Sequence, residues 1–243
     1  MSTTSRIKPS AKEVKYPTRD GRPMGETDVH RDNMMFLVWT LRAYFATDPN
    51  VYVSGNLLMF YVPGDKRRHL SPDVFVIRGV RKGRRLNYLI WEEGKGPDFV
   101  IEVTSKSTRK EDLDKKFLLY RDTLKVPEYF LFDPYEEYLV PSLQGFRLVD
   151  GRYESIVFQE GRLPSAVLGL ELVRNGTELR LFDPKTRELL PTADENAAAL
   201  DQTAAALDQT AAALDETTAA LRQRDAEIEQ LRQEIARLKG GAG

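Results

Sequence analysis

Apolar residues recur at helical spacing between positions 27 and 46, where Met34, Leu37, Leu41 and Phe45 fall on one face. The pattern predicts a helix there, stopped by Asp48-Pro49. The period then changes. VYVSGNLLMFYV (51–62), SPDVFVIRGV (71–80) and LNYLIWEE (86–93) are apolar runs broken by turn residues, and they read as strands. GPDFVIEVTS (96–105) is the strongest strand pattern in the chain. STRKEDLDKKFLLYRDTLK (107–125) returns to helical spacing, with Leu113, Phe117, Tyr120 and Leu124 as its apolar stripe and Thr108 and Glu111 as a capping box. EYFLFDP (128–134) reads as another buried strand. From there to residue 190, short strands alternate with turns such as Val149-Asp150-Gly151-Arg152 and Arg174-Asn175-Gly176-Thr177, the second a hairpin signal. This order predicts a mixed α/β domain with appended hairpins.

The last stretch follows a third period. ALDQTAA occurs twice, from Ala199 and from Ala206, and then decays into ALDETTA. Leu200, Leu207, Leu214, Leu221, Ile228 and Ile235 fall every seven residues. Leu231 and Leu238 add a second stripe, whose upstream positions are Thr203, Thr210, Thr217 and Arg224. The heptads predict a coiled coil, weak in its first half, that spans ~58 Å over 200–238 at ~1.5 Å per residue. Self-association, most simply as a homodimer, is the expectation; a solitary Ala-rich helix is the alternative. The chain thus divides into a polar N-terminal arm (1–24), a globular domain (25–191) and a C-terminal coiled coil (192–243).

Composition narrows the chemistry. There is no cysteine, which excludes disulfides, Cys-ligated zinc and thiol catalysis and fits a cytoplasmic protein. MSTTSRIKPSAKEVK lacks the apolar segment of a secretory signal, and no run approaches the ~20 apolar residues of a membrane helix, so no membrane partner is expected. The net charge of −1 hides an asymmetry: from residue 192 on there are ten acidic and five basic residues, against 27 acidic and 31 basic before it. Lys66, Arg67, Arg68, Arg78, Arg81, Lys82, Arg84 and Arg85 crowd one segment, a patch compatible with a polyanion or with a solvated hairpin tip. No P-loop, Ser/His/Asp arrangement or zinc spacing is present, and two histidines are too few for a histidine-rich metal site.

Candidate chemistry concentrates in GPDFVIEVTSKST (96–108). Side chains alternate along a strand, so Phe99, Ile101 and Val103 form a core face while Asp98, Val100, Glu102 and Thr104 share the other. Asp98 and Glu102 lie ~13 Å apart in an extended strand and cannot hold one ion. A partner for Glu102 must come from a neighbouring strand, and Asp73, at the start of the 71–80 run, is the candidate. A buried carboxylate is costly unless paired or metal-bound, and two side by side repel unless a cation lies between them. Hard oxygen donors in that arrangement suit Mg²⁺ or Mn²⁺. A basic group belongs nearby. Lys106 shares strand parity with Glu102. On the 107–125 helix Lys116 lies ~60° from Leu113, at the border of the packed face, while Lys115 lies ~160° away, towards solvent. The plainer reading makes Asp73 and Glu102 hydrogen-bonded strand ends and pairs Lys116 with Asp112 four residues back. Asp98 reads as a residue that bonds a turn backbone.

SPDVFVI and GPDFVIEVTSKSTRKEDLDKKFLLYRDTLKVPEYFLFDP together resemble the Uma family of restriction endonuclease-like proteins, a branch of the PD-(D/E)xK nuclease superfamily, over roughly residues 16–190. The resemblance implies a PD-(D/E)xK nuclease-like core, with a central mixed sheet flanked by helices, carrying here the extra hairpins and the coiled-coil helix. It implies a Mg²⁺- or Mn²⁺-dependent endonuclease that hydrolyses DNA phosphodiester bonds. Asp73, Glu102 and the backbone carbonyl of Val103 would hold the metal, Lys116 or Lys106 would serve as the catalytic lysine, and the basic segment would hold phosphates. Thr104 stands where the superfamily places its lysine; the Uma-type pattern moves that lysine to the following helix, where Lys116 matches. Lys106 stands where many relatives carry Pro. Upstream, YPTRDGRPMGETDVHRDNM resembles the family's leading segment, with Glu26 as an acid at the edge of the site and His30 as a supporting contact. The alternative is a catalytically inactive nuclease-fold module that binds or scaffolds through its tail.

Overall fold

The computed structural model describes residues 14–18, 27–105 and 110–240. The chain divides into two compact units, Met1–Leu190 and Pro191–Gly243.

The first unit opens with α1 (Asp28–Tyr44), capped by Thr27, whose hydroxyl accepts the His30 N–H at 3.2 Å. Met34, Leu37, Leu41 and Phe45 point into the core, as their spacing predicts. A six-stranded sheet follows the order β1 (Val51–Ser54), β4 (Val74–Arg78), β6 (Phe99–Val103), β7 (Glu128–Phe132), β8 (Leu143–Val149), β9 (Arg152–Ser155). Its pairs are antiparallel except β6–β7. Parallel neighbours need a crossover, and the helical segment after β6 supplies it. A three-stranded sheet joins β3 (His69–Leu70), β2 (Met59–Phe60) and β5 (Tyr88–Leu89). A four-stranded sheet joins β10 (Leu163–Ser165), β11 (Leu170–Asn175), β12 (Glu178–Asp183) and β13 (Glu188–Leu189). The result is the mixed α+β architecture with hairpins that the patterning predicts.

Both faces of the central sheet are buried. Val74, Val76, Phe99, Ile101, Val103, Phe130 and Phe132 pack towards α1 and the four-stranded sheet. Phe75, Ile77, Val100, Tyr129 and Leu131 pack with Tyr120, Leu113 and Phe117 of the crossover helix. The buried Glu128 carboxylate ties β7 to the start of the second sheet, accepting from the Ser165 hydroxyl at 2.5 Å, the Ala166 N–H at 3.0 Å and Arg147 at 2.9 Å.

Three local readings need correction. The 51–62 run is not one strand: Gly55-Asn56 turns the chain, with Asn56 at φ 48°, and sends β1 and β2 into different sheets. In the 86–93 run only Tyr88–Leu89 is extended; Ile90–Glu93 closes into a single helical turn, α2, ended by Gly94 at φ 75°, whose N–H returns to the Ile90 carbonyl. The crossover helix is wider than ordinary spacing predicts. Glu111–Lys116 and Leu119–Thr123 are π-helical, and the Leu124 N–H donates to the Leu119 carbonyl at 2.9 Å. The two hairpin turns behave as their residues require: Asp150 and Gly151 both adopt positive φ between paired Val149 and Arg152, and Gly176 does so between Asn175 and Glu178.

The second unit is one helix, α3 (Ala193–Gly240), of 48 residues. Thr192 and Glu195 form a reciprocal capping box at its start, with bonds of 2.7 and 3.0 Å. Leu200, Leu207, Leu214, Leu221, Ile228, Leu231 and Ile235 are all exposed on it. No helix among the described residues is long and apolar enough to cross a membrane.

Candidate active site

β4 and β6 pair with Val74 opposite Ile101, and one step further along that register puts Asp73 opposite Glu102. Glu102 lies on the sheet face covered by the crossover helix, and Asp73 sits at a bend just before β4, at the edge of that face. Glu102 is completely buried there. Its Oε1 accepts the Tyr120 hydroxyl at 2.6 Å, and its Oε2 lies 2.8 Å from the Lys116 ammonium and 3.4 Å from the Asp73 N–H. Lys116 also reaches the buried Asp112 at 3.0 Å, so the local ion pair and the reach across the sheet occur together. Lys115 is exposed. The Asp73 Oδ2 accepts the Val103 N–H at 2.8 Å and lies 3.5 Å from His30 Nε2. The N–H and C=O of a residue in extended backbone point to the same edge, so the Val103 carbonyl also faces the Asp73 side.

The wide helix makes this convergence possible. With roughly four residues per turn, rather than ~3.6, residues four apart line up along one edge. Asp112, Lys116 and Tyr120 are such a row, and all three meet at Glu102 or its lysine. The Tyr129 hydroxyl donates to the Asp112 carbonyl at 3.1 Å and fixes the first turn against β7.

Burial pushes the Glu102 carboxyl well above its usual range; Lys116 opposes this, while Asp73 and Asp112 add to it. Burial works against the Lys116 ammonium, but Glu102, Asp112 and Asp73 outweigh it and raise its pKa. Burial, followed by the Glu102 charge, pushes up the Tyr120 phenol. Three carboxylates therefore surround one ammonium in a dry setting. Among the described residues, no three His, Cys, Asp or Glu side chains converge as a complete metal site. The donors that do converge are the Asp73 and Glu102 carboxylates and a peptide carbonyl. They are hard oxygens with an excess of negative charge, and they fit a small divalent cation in kind and in charge.

The loop between β1 and β2 holds Asp73 in place. The Asn56 N–H donates to the Pro72 carbonyl at 2.8 Å, and a Cβ on Gly55 would sit 2.2 Å from the Asp73 carbonyl oxygen. Only glycine allows that approach. Two cavities flank the cluster. One, of about 320 Å³, is lined by Thr27, His30, Thr104, Ser105, Asp133 and Tyr138 among others. The other, of about 650 Å³, includes Arg68, His69, Ser71, Lys115 and Lys116 in its walls.

Other expectations fare differently. Glu26, Lys106 and Thr108 lie outside the described residues. Thr104, in the superfamily's lysine position, is buried and bonds the Phe132 carbonyl and the Tyr138 hydroxyl. Asp98 accepts the Arg78 N–H at 2.7 Å, a structural role. The basic segment is not one patch. Arg67 pairs with Asp65, Arg78 bonds the Val167 carbonyl, Lys82 bonds the Phe45 and Ala46 carbonyls at the end of α1, and Arg85 pairs with Glu93 and stacks over Tyr52. Arg68 is the member of that segment that shares a cavity with Lys116. Sequence reasoning places Tyr120 in the apolar stripe and Asp112 as a partner for Lys116, joins the three only as a spaced block of the family resemblance, and gives Gly55 no role. The four-residue spacing of Asp112, Lys116 and Tyr120 is the available signal; nothing marks Gly55.

A solved structure described as a putative nuclease belonging to DUF820, from Anabaena variabilis, is 16% identical; the match covers 62% of this chain and 81% of that one at a TM-score of 0.44, too distant to bear on the site. No curated protein matches the chain. The sequence pattern of the Uma2 family, described as "Putative restriction endonuclease", matches residues 6–181 and takes in α1, Asp73, Glu102 and Lys116. The chain belongs to the Uma2 family.

Proposed function

We propose that the protein is a divalent-metal-dependent endonuclease that hydrolyses DNA phosphodiester bonds and works as a dimer through its C-terminal helix. The observation that carries this reading is the buried Glu102 carboxylate, faced by Asp73 and touched by Lys116. Membership of a family described as "Putative restriction endonuclease" supports it. Asp73, Glu102 and the Val103 carbonyl would hold Mg²⁺ or Mn²⁺, whose Lewis acidity would be supplied to the scissile phosphate and to an adjoining water. Lys116 offsets the negative charge that grows on the phosphoryl oxygens in the transition state. Asp112 and Tyr120 keep Lys116 and Glu102 in register, and His30 steadies Asp73. Arg68 and Lys115, beside Lys116 in the larger cavity, hold flanking phosphates.

The test is incubation of supercoiled plasmid with Mg²⁺ or Mn²⁺, for wild type and for Asp73→Asn, Glu102→Gln, Lys106→Ala and Lys116→Met. The expected result is cutting abolished by chelation and lost about 100-fold or more in both acid variants. Loss in Lys116→Met with activity kept in Lys106→Ala assigns the lysine. Absence of cutting by wild type, together with absence of metal binding by calorimetry, would replace this reading with a non-catalytic nucleic-acid or protein-binding module.

A further inference from the structure

The second unit carries information about its partner that the heptad stripe alone does not. Written as heptads, Leu200, Leu207, Leu214, Leu221, Ile228 and Ile235 occupy position a, and Thr203, Thr210, Thr217, Arg224, Leu231 and Leu238 occupy position d. We propose that α3 pairs with a second copy of this chain as a parallel, in-register, two-stranded coiled coil, and that residues 225–239 set this orientation. The inference rests on the dimer reading above.

An exposed apolar stripe of this length marks an interface. Ile228, Leu231 and Ile235 are about half exposed, at 47%, 54% and 52%. Three features choose the occupant. First, the C-terminal heptads put Ile at a and Leu at d, the combination that favours two parallel strands over higher orders. Secondly, charges flank that stretch in a self-complementary order. Position g carries Glu227 and Glu234, and position e carries Arg232 and Lys239. In a parallel pair each g faces the e five residues further along the other strand, which sets Glu227 against Arg232 and Glu234 against Lys239, twice each by symmetry. An antiparallel pair of full length sets g against g and e against e end for end, so Glu227 and Glu234 would face the uncharged Ala206 and Ala199, and these ion pairs would be lost. Among the described residues Arg232 makes a 3.8 Å contact with Glu229 on its own helix, with both side chains more than half exposed.

Thirdly, the N-terminal half tolerates burial without dictating direction. The Thr203, Thr210 and Thr217 hydroxyls each donate to the carbonyl four residues back, at 2.8 Å. Satisfied within the helix, these residues turn a methyl to the seam instead of an unpaired hydroxyl. Their neighbours at e and g, Ala199, Ala204, Ala206 and Ala211, carry no charge. Arg224, at d, faces its own copy in this register, with Asp225 and Glu227 alongside to moderate the repulsion. It marks the boundary between an adhesive half and an orienting half.

Orientation matters for function. A parallel pair brings the two helix starts at Ala193 together, directly after the point where each folded unit ends. An antiparallel pair would separate those starts by the helix length, ~70 Å at ~1.5 Å per residue.

The cysteine-free chain allows a direct test in full-length protein. Asn196→Cys, at position d, and Ala242→Cys, seven residues after Ile235 in sequence, are each made alone, oxidised mildly, and also mixed before oxidation; sedimentation of the reduced proteins gives the oligomeric state. The proposal expects dimers by sedimentation, disulfide-linked dimers from each variant alone, and no additional mixed product. Dimers that cross-link only after mixing would overturn the parallel orientation while leaving the dimer reading intact. Monomers by sedimentation would overturn both, and trimers or larger species would overturn the two-stranded state. Charge reversal gives a second reading of the same interface. Glu227→Lys with Glu234→Lys should weaken self-association at least tenfold, and pairing should recover on mixing with a chain carrying Arg232→Glu and Lys239→Glu. Unchanged self-association of the reversed chain would show that these positions do not set the orientation.

Discussion

Glu102 is fully buried and still titratable, and its environment has opposite consequences for folding and for catalysis. Burial, the largest cause, holds its folded-state pKa well above the usual range, with Lys116 only partly offsetting it. The folded chain therefore keeps a proton over a pH range in which the unfolded chain has lost it. Stability falls as pH rises from the unfolded value, about 4.3, through the raised folded value. On the proposed mechanism, cutting needs the carboxylate and should rise with pH through the same group. Glu102→Gln keeps the shape and removes the charge. Without metal at pH 8, its melting temperature should rise by about 2–4 °C per kcal/mol relieved, while cutting falls about 100-fold or more. A lower melting temperature would mean that Lys116 stabilises the carboxylate by more than burial costs. Tyr120→Phe probes the other oxygen. Losing a donor to a charged acceptor should cost about 1.5–3 kcal/mol in urea unfolding. The phenol favours the ionised form of Glu102, so its loss should also move the rise of cutting to higher pH. An unmoved profile would limit Tyr120 to packing.

At the scale of elements, the site depends on two approaches that no single strand or helix controls. One is the β1–β2 loop against Asp73. Gly55→Ala puts a Cβ where the Asp73 carbonyl oxygen now lies, at 2.2 Å, so the β4 entrance must shift. Urea unfolding should show a loss of about 1–3 kcal/mol, the range for overpacking, and cutting should fall along with it; full activity would mean that the loop yields without moving Asp73. The other approach is the wide crossover helix. These two features also explain what is legible in the sequence. The alternation in β6 determines which face holds Glu102, because a strand's period is two and a slip of one residue would turn that carboxyl into the apolar core under α1. Lys116 is legible from its place at the border of the apolar stripe. Tyr120 is not, because an ordinary helical period counts it as core and cannot show that its hydroxyl ends on Glu102. The widening itself has no compositional mark in 111–123, and Gly55 looks like any turn glycine until Asp73 is placed beside it. The basic segment misleads for a related reason: clustering in sequence says nothing about which cations are tied to Asp65, Glu93 or a helix end.

At the scale of the whole molecule, the proposed endonuclease raises the question of how one acid cluster per chain would deal with a two-stranded substrate. A single site breaks one strand per encounter and must dissociate or turn round to break the other. Under the proposed parallel pairing, two sites belong to one dimer, and cutting of both strands in one encounter would require both sites to work. Mixing wild type with Glu102→Gln chains, after conditions that let the dimers exchange, separates the two cases. With equal amounts and random pairing, about a quarter of dimers keep two working sites and about half keep one. The rate of linear product should therefore fall to about a quarter of the all-wild-type rate at the same total concentration, while nicked circles accumulate from the mixed dimers. A fall only to about half, with the ratio of linear to nicked product unchanged, would mean that each chain cuts independently and that the heptad helix serves to gather the enzyme rather than to match two sites to two strands.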